Sequence, residues 1–131
     1  MMKQTGTVLL YNMEGDRARE VGMLCMRLGI KVRKVEPAQY GQPIGALFGL
    51  PGQMLTETVY EGEGFSDEML IMKDLHDAIL SLFLQEFGRL KIRRVDLKAM
   101  LTPYNAQWDS VTLHDEIKKE REAILSGQTG E

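Results

Sequence analysis

The sequence predicts an α+β fold: two βαβ units in tandem. They form a ferredoxin-like split arrangement, with a four-stranded antiparallel sheet, helices on one face and an extra C-terminal helix. Three observations predict it. First, Leu28-Gly29-Ile30-Lys31-Val32-Arg33-Lys34-Val35-Glu36 reads much like Gly88-Arg89-Leu90-Lys91-Ile92-Arg93-Arg94-Val95-Asp96. From Ile30 against Leu90 to Glu36 against Asp96, every pair is identical or chemically equivalent. Such a repeat marks one supersecondary unit used twice, each copy needing the other to bury its apolar face. Second, an apolar run precedes a helix-like stretch in both halves, at Val8-Leu9-Leu10-Tyr11 and at Met69-Leu70-Ile71-Met72. Third, 131 residues, 44% of them hydrophobic and 27% charged, suffice for one soluble core without a metal or disulfide staple. If each unit leaves a gap between its strands, the other unit fills it, with right-handed crossovers. The alternative, a small doubly wound parallel sheet, would have few strands. The units span about 7–37 and 68–102, joined by a loop over 38–67 and followed by a helix over about 110–126, all within one domain.

Each element has a local reason. Residues 7–13 are short, mostly apolar and uncharged, which suits a central strand. Asp16 is the expected N-cap of a helix carrying Val21, Leu24, Cys25 and Leu28, with Gly29 at the C′ position. A second strand runs over 30–36 and stops at Pro37. Glycines and prolines punctuate residues 38–67, leaving room for one short helix over 44–50, an edge strand over 56–60 and an exposed turn over 61–64. So long a connection is either functional or poorly ordered.

In the second half, Asp74 is the expected cap of a helix carrying Leu75, Ala78, Ile79, Leu82, Phe83 and Phe87. Its wider apolar stripe predicts deeper burial than in the first helix. The last strand lies within 92–102; Leu97, Ala99 and Leu101 alternate well, whereas Arg93 and Arg94 do not fit that register. Ser110 or Thr112 caps the final helix, which sets Leu113, Ile117 and Ile124 on one side and pairs Asp115 with Lys119. Residues 127–131 are expected to fray.

Composition narrows the function classes. A net charge of −3 argues against a dedicated nucleic-acid binder. The lone cysteine, Cys25, cannot form an internal disulfide, which favours a reducing, cytoplasmic setting. No run approaches the ~20 apolar residues of a membrane span, and residues 1–7 lack a secretory signal pattern. Cys25 sits among apolar neighbours near a helix end and reads as a core thiol. His76 and His114 belong to no metal-binding spacing. The acidic residues Glu57, Glu61, Glu63, Asp67 and Glu68 read as a solvated loop, because glycines and Phe65 interrupt any calcium-loop pattern. No dinucleotide or phosphate-binding glycine motif is present. No cofactor or metal is expected. The basic residues of the two matching segments read as edge decoration that discourages sheet-to-sheet pairing.

Two loops have the composition of recognition surfaces. One is Gln39-Tyr40-Gly41-Gln42-Pro43-Ile44-Gly45, with amides, an aromatic ring and flexible backbone. The other is Leu101-Thr102-Pro103-Tyr104-Asn105-Ala106-Gln107-Trp108, with the only tryptophan. Its structural reading has Trp108 stapling the last helix to the core and Asn105 closing a turn. The candidate binding residues are Gln39, Tyr40, Gln42, Lys98, Thr102, Tyr104, Asn105 and Trp108.

The stretch Gly41-Gln42-Pro43-Ile44-Gly45 after a βαβ unit resembles a bacterial family of small proteins catalogued only as a domain of unknown function. So does Val95-Asp96-Leu97-Lys98-Ala99-Met100-Leu101-Thr102-Pro103-Tyr104-Asn105-Ala106-Gln107-Trp108 followed by an amphipathic Glu/Lys helix. The resemblance is strongest over 8–50 and 95–122. It implies a bacterial cytoplasmic protein and assigns no residue a role.

These readings point to a non-enzymatic binding or regulatory module acting through self-association, or through a small ligand or protein partner. A homodimer is expected, since the apolar segment 44–50 would mark an interface if it does not fold back. An enzyme is the alternative, with groups from Lys98, Tyr104, Asn105 and His114 beneath the Tyr40 loop as a lid. Nucleic-acid binding through the basic segments is a further alternative.

Overall fold

A computed structural model describes residues 6–127. The strands are β1 (Gly6–Tyr11), β2 (Ile30–Val35), β3 (Met69–Lys73) and β4 (Leu97–Met100); the helices are α1 (Gly15–Arg27), α2 (Ile44–Phe48), α3 (Asp77–Arg89) and α4 (Ser110–Leu125). Short 3-10 turns occupy Pro37–Gln39 and Asn105–Gln107. The chain is α+β with one four-stranded sheet, ordered β2-β1-β3-β4.

The central pair, β1 against β3, is antiparallel, with Leu9 opposite Ile71. Each edge strand, however, lies parallel to its own unit's first strand: Val8 pairs with Val32, and Leu70 with Lys98. The sheet is therefore mixed, and the expected interleaved antiparallel order is not formed. The reason lies in residues 36–68. An interleaved sheet needs β2 and β3 to be neighbours through a hairpin-like link. Here the connection carries its own apolar set, Tyr40, Ile44, Leu47 and Phe48, all buried. Burying it takes the chain across one face of the sheet, which keeps β2 beside β1 and apart from β3.

Both faces are covered. Val8, Leu10, Leu70 and Met72 face α1 and α3, packing on Val21, Leu24, Phe83 and Phe87. Leu9, Tyr11, Met69 and Ile71 face the other way, against Tyr40, Ile44, Leu47 and Leu113 from the 36–68 connection and α4. The two crossover helices do share one face, and the C-terminal helix closes the opposite one. Strict alternation along β1 and β3 decides this partition.

The units correspond, but not in the register of the sequence match. α1 starts at Gly15 and α3 at Asp77, so Ile30 stands against Ile92 rather than Leu90. The segment Arg93–Asp96, which matches β2 in sequence, is irregular and precedes β4. Alternation explains the difference: Leu97 and Ala99 meet the second face and Met100 the first, whereas two arginines in succession offer no buried side.

Helix starts also differ from expectation. The N-caps are Glu14, His76 and Asp109, in place of Asp16, Asp74 and Ser110 or Thr112. Asp74 and its counterpart Asn12 have φ of 61° and 62°. An N-cap needs extended backbone, so a left-handed residue cannot serve as one; Asn and Asp tolerate this conformation better than most residues. Asp109 accepts a hydrogen bond from the Thr112 N–H at 2.8 Å. Gly29 does sit past α1 with φ 76°, and Lys91 fills the equivalent left-handed place after α3 with φ 59°. Residues 56–60 form no strand, and α3 is no more buried than α1, since Ala78 and Leu82 face water. Lys119 pairs with Glu116, while Asp115 turns to His114. Residues 1–5 and 128–131, including most of the expected frayed tail, lie outside the described residues.

Candidate functional site

A groove of ≈ 290 Å³ lies between edge strand β4 and helix α4. Lys98, Thr102, Asn105 and Trp108 line it from the β4 side, and Glu116 and Glu120 from α4, with Leu113 and Ile117 as its apolar floor. Four of the eight candidate residues thus meet in one place. β4 positions Lys98, the following loop positions the next three, and the helical period sets Glu116 and Glu120 on one face of α4.

The loop is rigid for a local reason. Asn105 Oδ1 accepts from the Thr102 N–H at 2.9 Å, the Asn105 N–H donates to Thr102 Oγ1 at 3.0 Å, and Asn105 Nδ2 donates to the Met100 carbonyl at 3.0 Å. Asn105 therefore closes the turn, as its type suggests. Trp108 does not staple α4 to the core: the residue remains 36% exposed, and it is tied through its backbone, the carbonyl accepting from the Ile44 N–H at 2.9 Å. Tyr104 is 82% exposed and makes no hydrogen bond among the described residues. Lys98 Nζ donates to the Val95 carbonyl at 2.5 Å. Burial, reinforced by the nearby Arg94 and opposed by Asp96, lowers its pKa below the ordinary lysine value. Glu120 has no hydrogen-bond or ion-pair partner among the described residues, whereas Glu116 is 3.5 Å from Lys119.

The other candidates are structural. Tyr40 is buried, with its hydroxyl donating to Asn12 Oδ1 at 3.0 Å, so it is no lid. Gln42 is buried too; its amide ties Thr56 and Thr58, with Nε2 donating to the Thr56 carbonyl at 2.8 Å and Oε1 accepting from the Thr56 N–H at 2.9 Å. Gln39 folds back on the Glu36 N–H at 3.0 Å to close the 3-10 turn. The two recognition-like loops do pack together, since the Ile44 N–H donates to the Trp108 carbonyl at 2.9 Å. Tyr40 and Gln42 are nevertheless buried, whereas Tyr104 is exposed. The segment 44–50 buries most of its apolar side chains, which removes the exposed patch on which the homodimer expectation rested.

Sequence reasoning missed a polar core on the second face. Phe65 is stacked between Tyr40, with ring centroids 4.6 Å apart, and His114, 4.0 Å apart. His114 is buried, with Nε2 2.8 Å from Asp67 and Nδ1 2.9 Å from Asp115. Both ring nitrogens are thus engaged by carboxylates, and neither is left for a substrate. That hydrogen bond, aided by Lys118, holds the Asp67 carboxyl below its ordinary pKa. Tyr11 and Ser110, both buried, share a hydrogen bond of 2.6 Å. Burial pushes the Tyr11 hydroxyl above its ordinary value, against that bond. Asp67 and Glu68 are thus anchors rather than solvated loop: Glu68 holds Arg17 at 2.9 Å and Arg93 at 3.3 Å. No local pattern flags either residue, because the partners are remote in sequence.

Cys25 is buried as expected, and burial pushes its thiol up to about 12. The two basic segments do not form one patch. Lys31, Arg33 and Lys34 lie on β2 at one edge, while Arg93 and Arg94 lead into β4 at the other. Lys34, Arg89, Arg93 and Arg94 are each paired with a carboxylate. Among the described residues no helix is long and apolar enough to cross a membrane.

Residues 68–124 match the family described as "Domain of unknown function (DUF3783)". The resemblance seen in residues 95–108 falls inside that match, and the one seen in 41–45 falls outside it. The DUF3783 segment supplies β3, α3, β4 and nearly all of α4, so both walls of the groove belong to it. The aromatic stack does not: His114 is inside the segment, while Tyr40 and Phe65 precede it. No curated protein and no solved structure matches the chain.

Proposed function

We propose that this protein is a binding module rather than an enzyme, and that its working surface is the β4–α4 groove. The observation that carries the reading is the convergence of Lys98, Thr102, Asn105 and Trp108 with Glu116 and Glu120 on one concave surface. Clefts with an apolar floor and a few placed polar groups are the usual form of a ligand site. The chemistry argues for recognition over catalysis. Thr102 and Asn105 use their hydrogen bonds on each other and on the backbone, and Lys98 uses one on Val95. No described nucleophile lies beside a free base in the groove. Trp108 offers a half-open aromatic face, a type enriched at binding hot spots. Self-association remains an outcome of the test, since its original surface is buried.

The experiment is a fragment screen on the full chain, read by Trp108 fluorescence and by amide chemical shifts. Hits are expected to perturb Trp108 together with Thr102 and Glu120. A screen whose hits all map away from residues 98–120, or that yields none, overturns the reading.

A further inference from the structure

Resting on that reading, we propose that the groove's occupant is an extended basic polypeptide segment that adds to β4 as a fifth strand. β4 ends the sheet, with β3 on one side only. The Leu101 N–H donates to the Met72 carbonyl at 2.8 Å, so Leu101 faces β3. Strand alternation then turns Ala99 toward β3 and the backbone groups of Lys98 and Met100 outward. Asn105 Nδ2 takes the Met100 carbonyl, ending the ladder there. The N–H and C=O of Lys98 and the N–H of Met100 are left facing the groove side.

The two sheet edges are treated differently. β2, at the far edge, carries Lys31, Arg33 and Lys34, the charged protection usual for an edge strand. β4 carries one lysine, and that ammonium is folded back onto Val95. The open edge is thus the unprotected one, and it is the one bordered by a groove. An added strand would extend the sheet, and alternate side chains would point to the α4 side. There Glu116 and Glu120 present carboxylates, Glu120 without a partner among the described residues, beside the partly exposed Trp108. A guanidinium fits both: it pairs with carboxylates and lies over an indole face. Main-chain bonds would supply affinity and the alternate pockets specificity, as in other strand-addition complexes.

The probe is a terminally blocked peptide alternating arginine with threonine, titrated into the full chain and followed by amide shifts and Trp108 fluorescence. Two versions carry N-methyl groups on opposite sets of alternate amides. Binding is expected at Lys98, Met100 and Trp108. One methylated version, whose blocked amides face β4, is expected to bind about tenfold or more weakly, and the other about as well as the parent. Replacing arginine with glutamate in the peptide, or Glu116→Gln with Glu120→Gln in the protein, is expected to remove the preference for the basic peptide. Equal binding of both methylated versions, or no preference for arginine over glutamate, overturns strand addition. So does a stable dimer in native mass spectrometry with protected β4 amides, which would make a second copy the occupant. If no peptide binds but fragments still perturb Trp108, this inference falls and the groove reading stands; if neither binds, both fall.

Discussion

On one face of the sheet, α1 and α3 pack Val21, Leu24, Phe83 and Phe87 onto Val8, Leu10, Leu70 and Met72, with no buried hydrogen-bonded side chain among them. On the other, the 36–68 connection and α4 bury Tyr11, Tyr40, Ser110 and His114 among the apolar groups, each tied to a specific partner. The first face is held by area and shape, which are non-directional. The second is held partly by geometry, since each buried polar group must find its partner. The groove opens beside the second face, and α4, fixed by those polar contacts, forms its wall. Polar anchoring there fixes the wall of the groove as well as adding stability.

Substitutions should separate the two faces. The largest effect is expected on the first face: Phe83→Ala should cost about 3–5 kcal/mol, because it opens a cavity against Phe87 and both strands. Urea unfolding should show this loss while the groove signal of Trp108 in the folded protein stays unchanged. On the second face, Tyr11→Phe should cost about 1–3 kcal/mol despite an almost identical shape, since it leaves Ser110 Oγ buried without its partner. An unchanged urea midpoint would mean that the second face is held by packing alone.

His114→Phe should cost less, about 1 kcal/mol. It keeps an aromatic ring against Phe65, and Asp67 and Asp115 are open enough to be rehydrated. Its signature should be local, with faster hydrogen exchange in the first turns of α4. The smallest effect is expected from acid. Asp67 and Glu68 are held below their ordinary values, chiefly by hydrogen bonds from His114 and Arg17 respectively. The unfolded chain therefore takes up these protons first. Their contribution is complete above the ordinary carboxylate range and is lost as pH falls through it to the depressed folded values. Both groups meet solvent, so each loss should stay under about 1 kcal/mol. Asp67→Asn should flatten its share of that slope in a urea-midpoint profile against pH.

Much of the fold was legible in the chain. β1, α1, β2 and α2 are near their expected places, and Cys25 and Asn105 take the structural roles their types suggest. The misreadings share a cause. Capping was assigned by residue type, yet Asp74 takes left-handed backbone, which no cap can use. The basic segment Arg93–Asp96 looks like β2 by composition, but Leu97 begins the strand because only from there does alternation reach both cores. For the candidate site, Lys98 on β4 and Thr102, Asn105 and Trp108 in the loop after it were legible as unusual side chains close together in the chain. Glu116 and Glu120 were not, because a glutamate on a helix gains meaning only from what stands across the groove. The buried pairing of His114 was illegible for the same reason: Asp67, which it meets, is far away in the chain.

Most elements and their apolar faces follow from the sequence, because period and turn chemistry are local properties. Tertiary structure alone decided the order of the edge strands, the burial of residues 44–48 and His114, and the groove beside β4. Each of those depends on which remote segments cover the second face, and that is set by the competition to bury one apolar connection against a sheet already closed on its other side.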